Sequence, residues 1–251
     1  MKINFNRKLI NSLAILLLAT AAYIFSGCGS GSGILEVAVF YAGSPIPLQA
    51  EVPVDVDVPT CGPQILSESV IVDMDSRGLR NVVLRLEGEL ESKEPAVDIT
   101  ISNKGCVFVP HVAVAMIGSK INIRNNDPVF HTTDTYINGK RFFNIPLLVG
   151  QPPPPPKTIE EAGLIEITCA VHKWMQGYIV VHTNPYIGIT DESGIFSMTG
   201  IPPGNYSYVA WHEELGEKKG EVEIKRGQVS TLRLEFGDVL KPGDENQFEA
   251  E

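Results

Sequence analysis

The stretch Leu164–Val181, with the sequence LIEITCAVHKWMQGYIVV, decides the fold of this chain. Apolar and polar residues alternate up to Cys169, and apolar β-branched residues resume after Tyr178, which predicts two short strands joined by a tight loop. The alternation places the Cys169 side chain on the same strand face as Ile165 and Ile167. The thiol is therefore expected to point into a core at the end of its strand.

The same pattern of short apolar segments bounded by turn residues extends over most of the chain. Strands are predicted at Leu35–Phe40, Val70–Met74, Val82–Leu86, Val97–Ile101, Val107–Val114, Ile121–Arg124, Leu164–Cys169 and Tyr178–Val181. Eight strands at this spacing, with no long stretch of helical periodicity, predict an all-β protein built as a sandwich or barrel. A composition of 43% hydrophobic and 20% charged residues is that of a globular protein.

A change in the spacing of turn residues and apolar segments near residue 183 predicts a second domain. Turn sequences at Asp191–Gly194 and Ile201–Gly204 separate short apolar segments, and Thr231–Phe236 alternates between polar and apolar residues. Together these features predict a first domain over residues 34–182, a small β-sandwich over residues 183–237 and a disordered acidic tail over residues 238–251.

Residues 1–27 have the form of a secretory signal, with basic residues at the start and the apolar stretch Leu9–Phe25 behind them. The sequence Phe25-Ser26-Gly27-Cys28 resembles a bacterial lipobox, which implies that Cys28 becomes the lipidated N-terminus. Residues 28–33 then form a flexible, glycine-rich tether. We therefore expect an exported protein anchored by lipid to a bacterial membrane, on its periplasmic or cell-surface side. Ordinary signal cleavage with a free Cys28 is the alternative.

Three side chains able to bind a metal, Cys169, His172 and Met175, lie within seven residues. His131 follows the predicted strand Ile121–Arg124 and a turn, so it too lies at a strand end. One thiolate, two imidazoles and a weak thioether are the donors of a type 1 copper site. Structural zinc favours a fourth cysteine or histidine over methionine, and a cysteine–histidine nucleophilic pair this close on a tight loop has an unsuitable geometry. A purely structural role is common for any one of these residues, but not for all four in this order.

The order of these donors, a histidine followed by Cys-x2-His-x2-Met between two strands, resembles the cupredoxins, and the short loop is similar to that of amicyanin. The segments Gly105–Val112 and Asn125–His131 are similar to a group of bacterial exported cupredoxin-like proteins. In that group the loop leads into a carboxypeptidase-regulatory-like (transthyretin-like) β-domain, which Thr190–Phe196 and Pro202–Tyr206 fit here. The resemblance implies a cupredoxin Greek-key β-sandwich followed by a small transthyretin-like β-sandwich. One departure is Thr132, because many cupredoxins follow the first histidine with asparagine.

The resemblance also implies a role for each donor. Cys169 would be the strong equatorial ligand, His131 and His172 the other equatorial ligands, and Met175 the weak axial ligand of one copper ion. Such a site transfers one electron at a time to and from a redox partner protein. Trp174, beside His172, is expected either to form part of the docking surface for that partner or to pack against the second domain.

The chain contains four cysteines, Cys28, Cys61, Cys106 and Cys169. If Cys28 carries lipid and Cys169 binds the metal, Cys61 and Cys106 remain as a pair. In an oxidising compartment such a pair is expected to form a disulfide.

Three further histidines are not assigned to the metal. We expect His111 to be a hydrogen-bonded histidine on a strand, with approach to the metal as the alternative. His182 is expected at the junction of the two domains, and His212 in a structural role.

The function expected from the sequence is electron transfer by a membrane-anchored type 1 copper protein. A net charge of −10 disfavours nucleic acid as a partner. The alternatives are a copper-binding lipoprotein for copper handling and a cupredoxin-fold interaction module without redox function. An enzyme is not expected, because the sequence contains no second metal cluster of the multicopper type and no acid/base pair near a nucleophile.

Overall fold

The computed structural model describes residues 31–88, 90 and 95–237, and these residues form one compact unit. The strands are β1 (Gly33–Tyr41), β2 (Glu51–Pro53), β3 (Gln64–Leu66), β4 (Val83–Leu86), β5 (Ile99–Asn103), β6 (Phe108–Val109), β7 (Val112–Met116), β8 (Lys120–Asn125), β9 (His131–Ile137), β10 (Lys140–Leu147), β11 (Lys157–Thr158), β12 (Gly163–Thr168), β13 (Gln176–His182), β14 (Ile187–Ile189), β15 (Ile195–Ile201), β16 (Gly204–His212), β17 (Gly216–Ile224) and β18 (Val229–Phe236), and the helix is α1 (Val58–Cys61). The prediction of an all-β protein is confirmed.

Several predictions lie outside the described residues. They are the signal sequence over residues 1–27, the lipidation of Cys28, most of the tether over residues 28–33, and the acidic tail over residues 238–251. Among the residues that the structure describes, no helix has the length and apolar character needed to span a membrane.

The first sandwich consists of two sheets, with strand orders β10-β9-β12-β13-β7 and β11-β8-β5-β6. The alternation predicted from the sequence holds on both sides of its core. Ile121 and Ile123 of β8 and Ile165 and Ile167 of β12 are at most 2% exposed and belong to one hydrophobic cluster. The central strand β12 pairs antiparallel with both β9 and β13. The loop between β12 and β13, which carries the predicted donors, therefore begins and ends within the middle of a sheet.

The second sandwich also has two sheets, with strand orders β15-β1-β18 and β14-β4-β16-β17. The first strand, β1, runs parallel to β18 and antiparallel to β15. Its alternate residues Leu35, Val37 and Val39 are at most 2% exposed and pack in one cluster with Leu84 and Leu86 of β4. This cluster is the core of the second sandwich.

The sheets do not follow the predicted boundary at residue 182. Strands β1 and β4 come from the segment assigned to the first domain, yet β1 pairs with β15 and β18, and β4 pairs with β14 and β16. A unit of about 55 residues has a small core and is marginally stable by itself. The two N-terminal strands add a strand to each of its sheets and supply buried leucines and valines.

Two strand predictions changed in detail. Residues 70–74 form an isolated bridge between Val72 and Leu79 instead of a strand. The predicted strand Val107–Val114 is divided into β6 and β7, because Pro110 between them cannot donate a ladder hydrogen bond.

The two sandwiches share a packed junction. Val112 and Val180 from the first sandwich pack with Val83 and Trp211 from the second, and all four are buried. His182 lies at this junction, as expected, where its Nε2 donates a hydrogen bond to the Leu86 carbonyl at 3.0 Å.

His212 is a buried histidine at the end of β16 that should make stability depend on pH. Its side chain is 1% exposed, and its Nδ1 accepts a hydrogen bond from the Glu214 N–H. Burial, with a smaller contribution from the charge of His111, lowers the pKa of His212 to about 3. The ordinary pKa of a histidine is about 6.5. Between that pH and pH 3, the unfolded chain therefore binds one proton more than the folded protein.

We predict that this histidine's contribution to stability is complete above pH 6.5 and is lost as the pH falls from there towards 3. His212→Asn retains an acceptor for the Glu214 N–H but does not titrate. Urea unfolding at a series of pH values measures this. As the pH falls from 6 to 4, the free energy of unfolding of the parent protein should decrease by about 1.4 kcal/mol per pH unit more than that of the variant. Parallel losses in the two proteins would contradict the prediction.

Candidate metal centre

Cys169 directly follows β12 and points into the core of the first sandwich, as its position in the alternation predicts. Its side chain is 3% exposed and packs in the same cluster as Ile165 and Ile167. It is the free cysteine of the described part of the chain. A thiol at this position has water largely excluded from it.

Two histidines face this sulfur. His172 Nδ1 lies 3.7 Å from Cys169 Sγ, and His131 Nδ1 lies 3.9 Å from it. Both imidazoles are fully buried, and one ligand atom from each of the three residues lies within 4.8 Å of the others. We call His131, Cys169 and His172 the donor group. The structure thus brings together three of the four residues predicted to bind copper.

Met175, the fourth predicted ligand, lies in the same hydrophobic cluster as Cys169 and is 2% exposed. Its backbone N–H donates to the His172 carbonyl at 2.9 Å, which closes a tight turn in the loop before β13. The loop therefore returns the methionine to the core within three residues of the histidine.

The surroundings of Cys169 lower the pKa of its thiol. Burial raises the pKa of Cys169, but hydrogen bonds from His131 and from the backbone N–H groups of Thr132, His172 and Val171 outweigh it and lower the pKa to about 5. A thiolate, which is the form that binds metal, is therefore present at neutral pH.

Thr132, the departure from the cupredoxin pattern, supports the thiolate directly. Its backbone N–H lies 3.4 Å and its hydroxyl 3.8 Å from Cys169 Sγ, and the hydroxyl oxygen accepts the Ala170 N–H at 2.7 Å. The threonine thus connects the start of β9 to the loop after β12.

Each histidine of the donor group donates a hydrogen bond from the N–H at Nε2, on the far side from the sulfur, to an aspartate. His131 Nε2 lies 3.0 Å from Asp127 Oδ2, and His172 Nε2 lies 3.0 Å from Asp57 Oδ2. Because an ionised carboxylate can only accept, each Nε2 carries a hydrogen, and each Nδ1 is the ring nitrogen that faces the sulfur and would supply its lone pair to a bound metal. Carboxylate–histidine pairs of this kind orient the imidazoles of metal sites.

Asp127 is itself held in place by the backbone. Its Oδ1 accepts the Gly105 N–H at 2.6 Å, its Oδ2 accepts the Cys106 N–H at 2.9 Å, and its own N–H donates to Asn125 Oδ1. The turn before β9 therefore fixes the orientation of His131. The sequence marked this turn, but it did not reveal the partner of the aspartate.

The predicted disulfide between Cys61 and Cys106 is confirmed. It joins the end of α1 to the turn before β6, next to the donor group. The indole N–H of Trp174 donates to the Cys106 carbonyl at 2.9 Å, and its ring centroid lies 5.1 Å from that of His172. Trp174 also packs in the small cluster that contains Val54, Cys61 and Cys106. It therefore covers one face of the donor group.

His111, the alternative ligand, has both ring nitrogens engaged elsewhere. Its Nδ1 is bonded to the Gln176 carbonyl at 3.1 Å, and its Nε2 forms a short contact with a Glu213 carboxylate oxygen. It is the hydrogen-bonded histidine that the sequence favoured.

The chemistry of the donor group suits copper. One thiolate and two imidazoles form the His2Cys set of type 1 sites, and the methionine of such sites is represented in the same buried cluster. Copper bound by these residues would be enclosed by protein on the side of the core and covered by Trp174 and the segment around Asp57 on the other.

Comparison with solved structures found similar chains among copper proteins. The chain is similar to a mutant of amicyanin in its oxidized state, with 18% identity over 34% of this chain and 82% of that one and a TM-score of 0.30. It is also similar to a purple cupredoxin from Nitrosopumilus maritimus (26% identity, 34% and 100% coverage, TM-score 0.30). A copper-containing nitrite reductase from Thermus scotoductus is similar at 19% identity over 40% of this chain and 25% of that one, with a TM-score of 0.27. Neither the comparison with family models nor the one with curated proteins gave a match.

We predict that the Thr132 hydroxyl stabilises the fold around the donor group. Thr132→Val leaves the Ala170 N–H without its acceptor and should lower the free energy of unfolding of the metal-free protein by about 1 kcal/mol. Thr133→Val is the matched control, because the buried Thr133 hydroxyl has no hydrogen-bond partner among the described residues. Its removal should leave stability unchanged or raise it. Equal losses in urea unfolding of the two variants would refute the role assigned to Thr132.

Proposed function

We propose that this protein is a type 1 copper protein that transfers single electrons, exported and held at a bacterial membrane by lipid on Cys28. The observation that carries the proposal is the convergence of His131 Nδ1, His172 Nδ1 and Cys169 Sγ on one buried point. The roles follow the chemistry of the donors: Cys169 as the strong thiolate ligand, the two histidines as the other equatorial ligands, and Met175 as the weak axial ligand.

The donors are arranged in advance of metal binding. His131 and His172 are fully buried, and each is held by a carboxylate on its far side. Copper in this set changes between Cu(I) and Cu(II), which supplies the one-electron step. Because packing and hydrogen bonds restrict the movement of the side chains, their positions are expected to change little when the charge of the site changes.

Burial of the donor group favours electron transfer over the other functions. A substrate could reach a metal at this point only by displacing packed side chains, which disfavours an enzyme. The same enclosure disfavours copper handling, because a receiving protein has to reach at least one donor in order to take the metal. An electron, in contrast, crosses a short distance of protein without any exposed ligand.

The partner we propose is a redox protein located near the membrane surface. The net charge of −10 favours a partner with a basic docking surface. The lipid anchor and the glycine-rich segment behind it would keep the protein close to a membrane while allowing it to reorient.

The proposal predicts a strong visible colour. The soluble fragment beginning at Gly29 should develop an intense thiolate-to-copper charge-transfer band when Cu(II) is added, and Cys169→Ser should abolish it because the thiolate is the source of the transition. Absorption spectra of the two proteins measure this directly. A colourless parent protein, or a band that survives in Cys169→Ser, would reject the type 1 assignment.

Cycles of reduction and reoxidation separate electron transfer from copper handling. An electron carrier should regain the full band after each cycle with its copper retained through gel filtration. Loss of copper on reduction would favour the handling function instead.

A further inference from the structure

Asp57 stands in an unusual relation to its own helix. It is the N-cap of α1 and has left-handed backbone angles, with a φ of 53°. An N-cap aspartate commonly accepts a backbone N–H of the first turn with its side chain. Here the backbone carbonyl of Asp57 accepts the N–H groups of Thr60 and Cys61, and the side chain makes no cap hydrogen bond. The carboxylate is therefore available to accept a hydrogen bond from the His172 Nε2–H.

The position of Asp57 is set by the structure around it. We call residues 51–66, which comprise β2, α1 and β3, the cap. The cap is closed by the pairing of β2 with β3 and by a hydrogen bond from the Val54 N–H to the Pro63 carbonyl. The Cys61–Cys106 disulfide ties it to the first sandwich four residues after Asp57. A carboxylate held in this way stays aligned with the imidazole.

The cap places a partly exposed carboxylate next to a buried histidine of the donor group. The His172 side chain is fully buried, whereas the Asp57 side chain is 36% exposed. Cys169 Sγ contacts the His172 imidazole, and the imidazole contacts the Asp57 carboxylate, which is exposed to solvent. Asp127, the corresponding partner of His131, is only 7% exposed and also accepts two backbone N–H groups.

We infer that Asp57 is a positioning residue for His172: its carboxylate keeps Nδ1 directed at the metal position and places a negative charge at the far edge of the imidazole. The inference rests on the proposed copper site and deepens it. The hydrogen bond strengthens the imidazole as a donor. The negative charge stabilises Cu(II) more than Cu(I), because Cu(II) carries the larger positive charge, and therefore lowers the reduction potential.

Three variants of the full chain separate these effects. Asp57→Ala removes both the charge and the acceptor, while Asp57→Asn retains an acceptor oxygen and removes only the charge. Asp55→Asn is the matched control, because Asp55 is an exposed carboxylate of the same cap and makes no hydrogen bond to the donor group among the described residues. Far-UV circular dichroism and urea unfolding of the metal-free variants report whether the fold is retained.

The first measurement is Zn(II) affinity, determined by competition with a chromophoric chelator. Zn(II) is redox-inert and binds thiolate and imidazole donors without requiring a blue copper site. We expect Asp57→Ala to bind Zn(II) about 10- to 100-fold more weakly than the parent protein, Asp57→Asn to show a smaller loss, and Asp55→Asn to match the parent.

The second measurement is the reduction potential of the copper-loaded proteins. The potential should rise in both Asp57 variants and stay unchanged in Asp55→Asn. If the variant lowers the affinity for Cu(II) tenfold more than the affinity for Cu(I), the reduction potential rises by about 59 mV, as for any one-electron couple.

The inference is overturned if the two Asp57 variants match Asp55→Asn in Zn(II) affinity and in potential. Its failure can be told apart from failure of the proposed function. A parent protein without the thiolate-to-copper band would reject the copper assignment, while the Zn(II) competition would still decide the role of Asp57. Should Asp57→Ala fail to fold, the comparison of Asp57→Asn with Asp55→Asn decides it.

Discussion

Two imidazoles must turn the same edge toward one buried sulfur, and this constraint organises the structure around Cys169. Each ring that directs Nδ1 at the sulfur leaves an N–H at Nε2, and a buried N–H without an acceptor costs about 1–3 kcal/mol. The fold meets this requirement with Asp127 for His131 and Asp57 for His172. The cap and the turn before β9 are the two segments that supply these acceptors.

Cys106 connects the supports of the two histidines. It has a left-handed φ of 58°, its N–H donates to Asp127, its carbonyl accepts the indole N–H of Trp174, and its sulfur joins Cys61 in the cap. One residue thereby links the carboxylate behind His131, the ring beside His172 and the segment that carries Asp57. A change in any of these contacts is expected to reach both histidines, since neighbouring groups in one network do not act independently.

The chain also shows how far local sequence patterns reach. The alternation of β12 correctly placed Cys169, Ile165 and Ile167 in one core, because the period of a strand is a property of adjacent residues. Cysteine arithmetic correctly paired Cys61 with Cys106 across 45 residues, because the other two cysteines had been assigned to lipid and to metal. The pairing of β1 and β4 with the second sandwich was not visible in the sequence, since alternation identifies a strand but not its neighbour.

The sequence by itself determined the all-β character, the order of the proposed donors along the chain and the strand end from which Cys169 enters the core, because these depend on residue type and local spacing. Only the tertiary structure decided which carboxylates stand behind the histidines. Asp57 and His172 are 115 residues apart, and nothing in the residues next to either one marks the other. Their contact exists because a disulfide and a small hydrophobic cluster bring the cap over the loop, and contacts made by chain closure leave no periodic signal in the sequence.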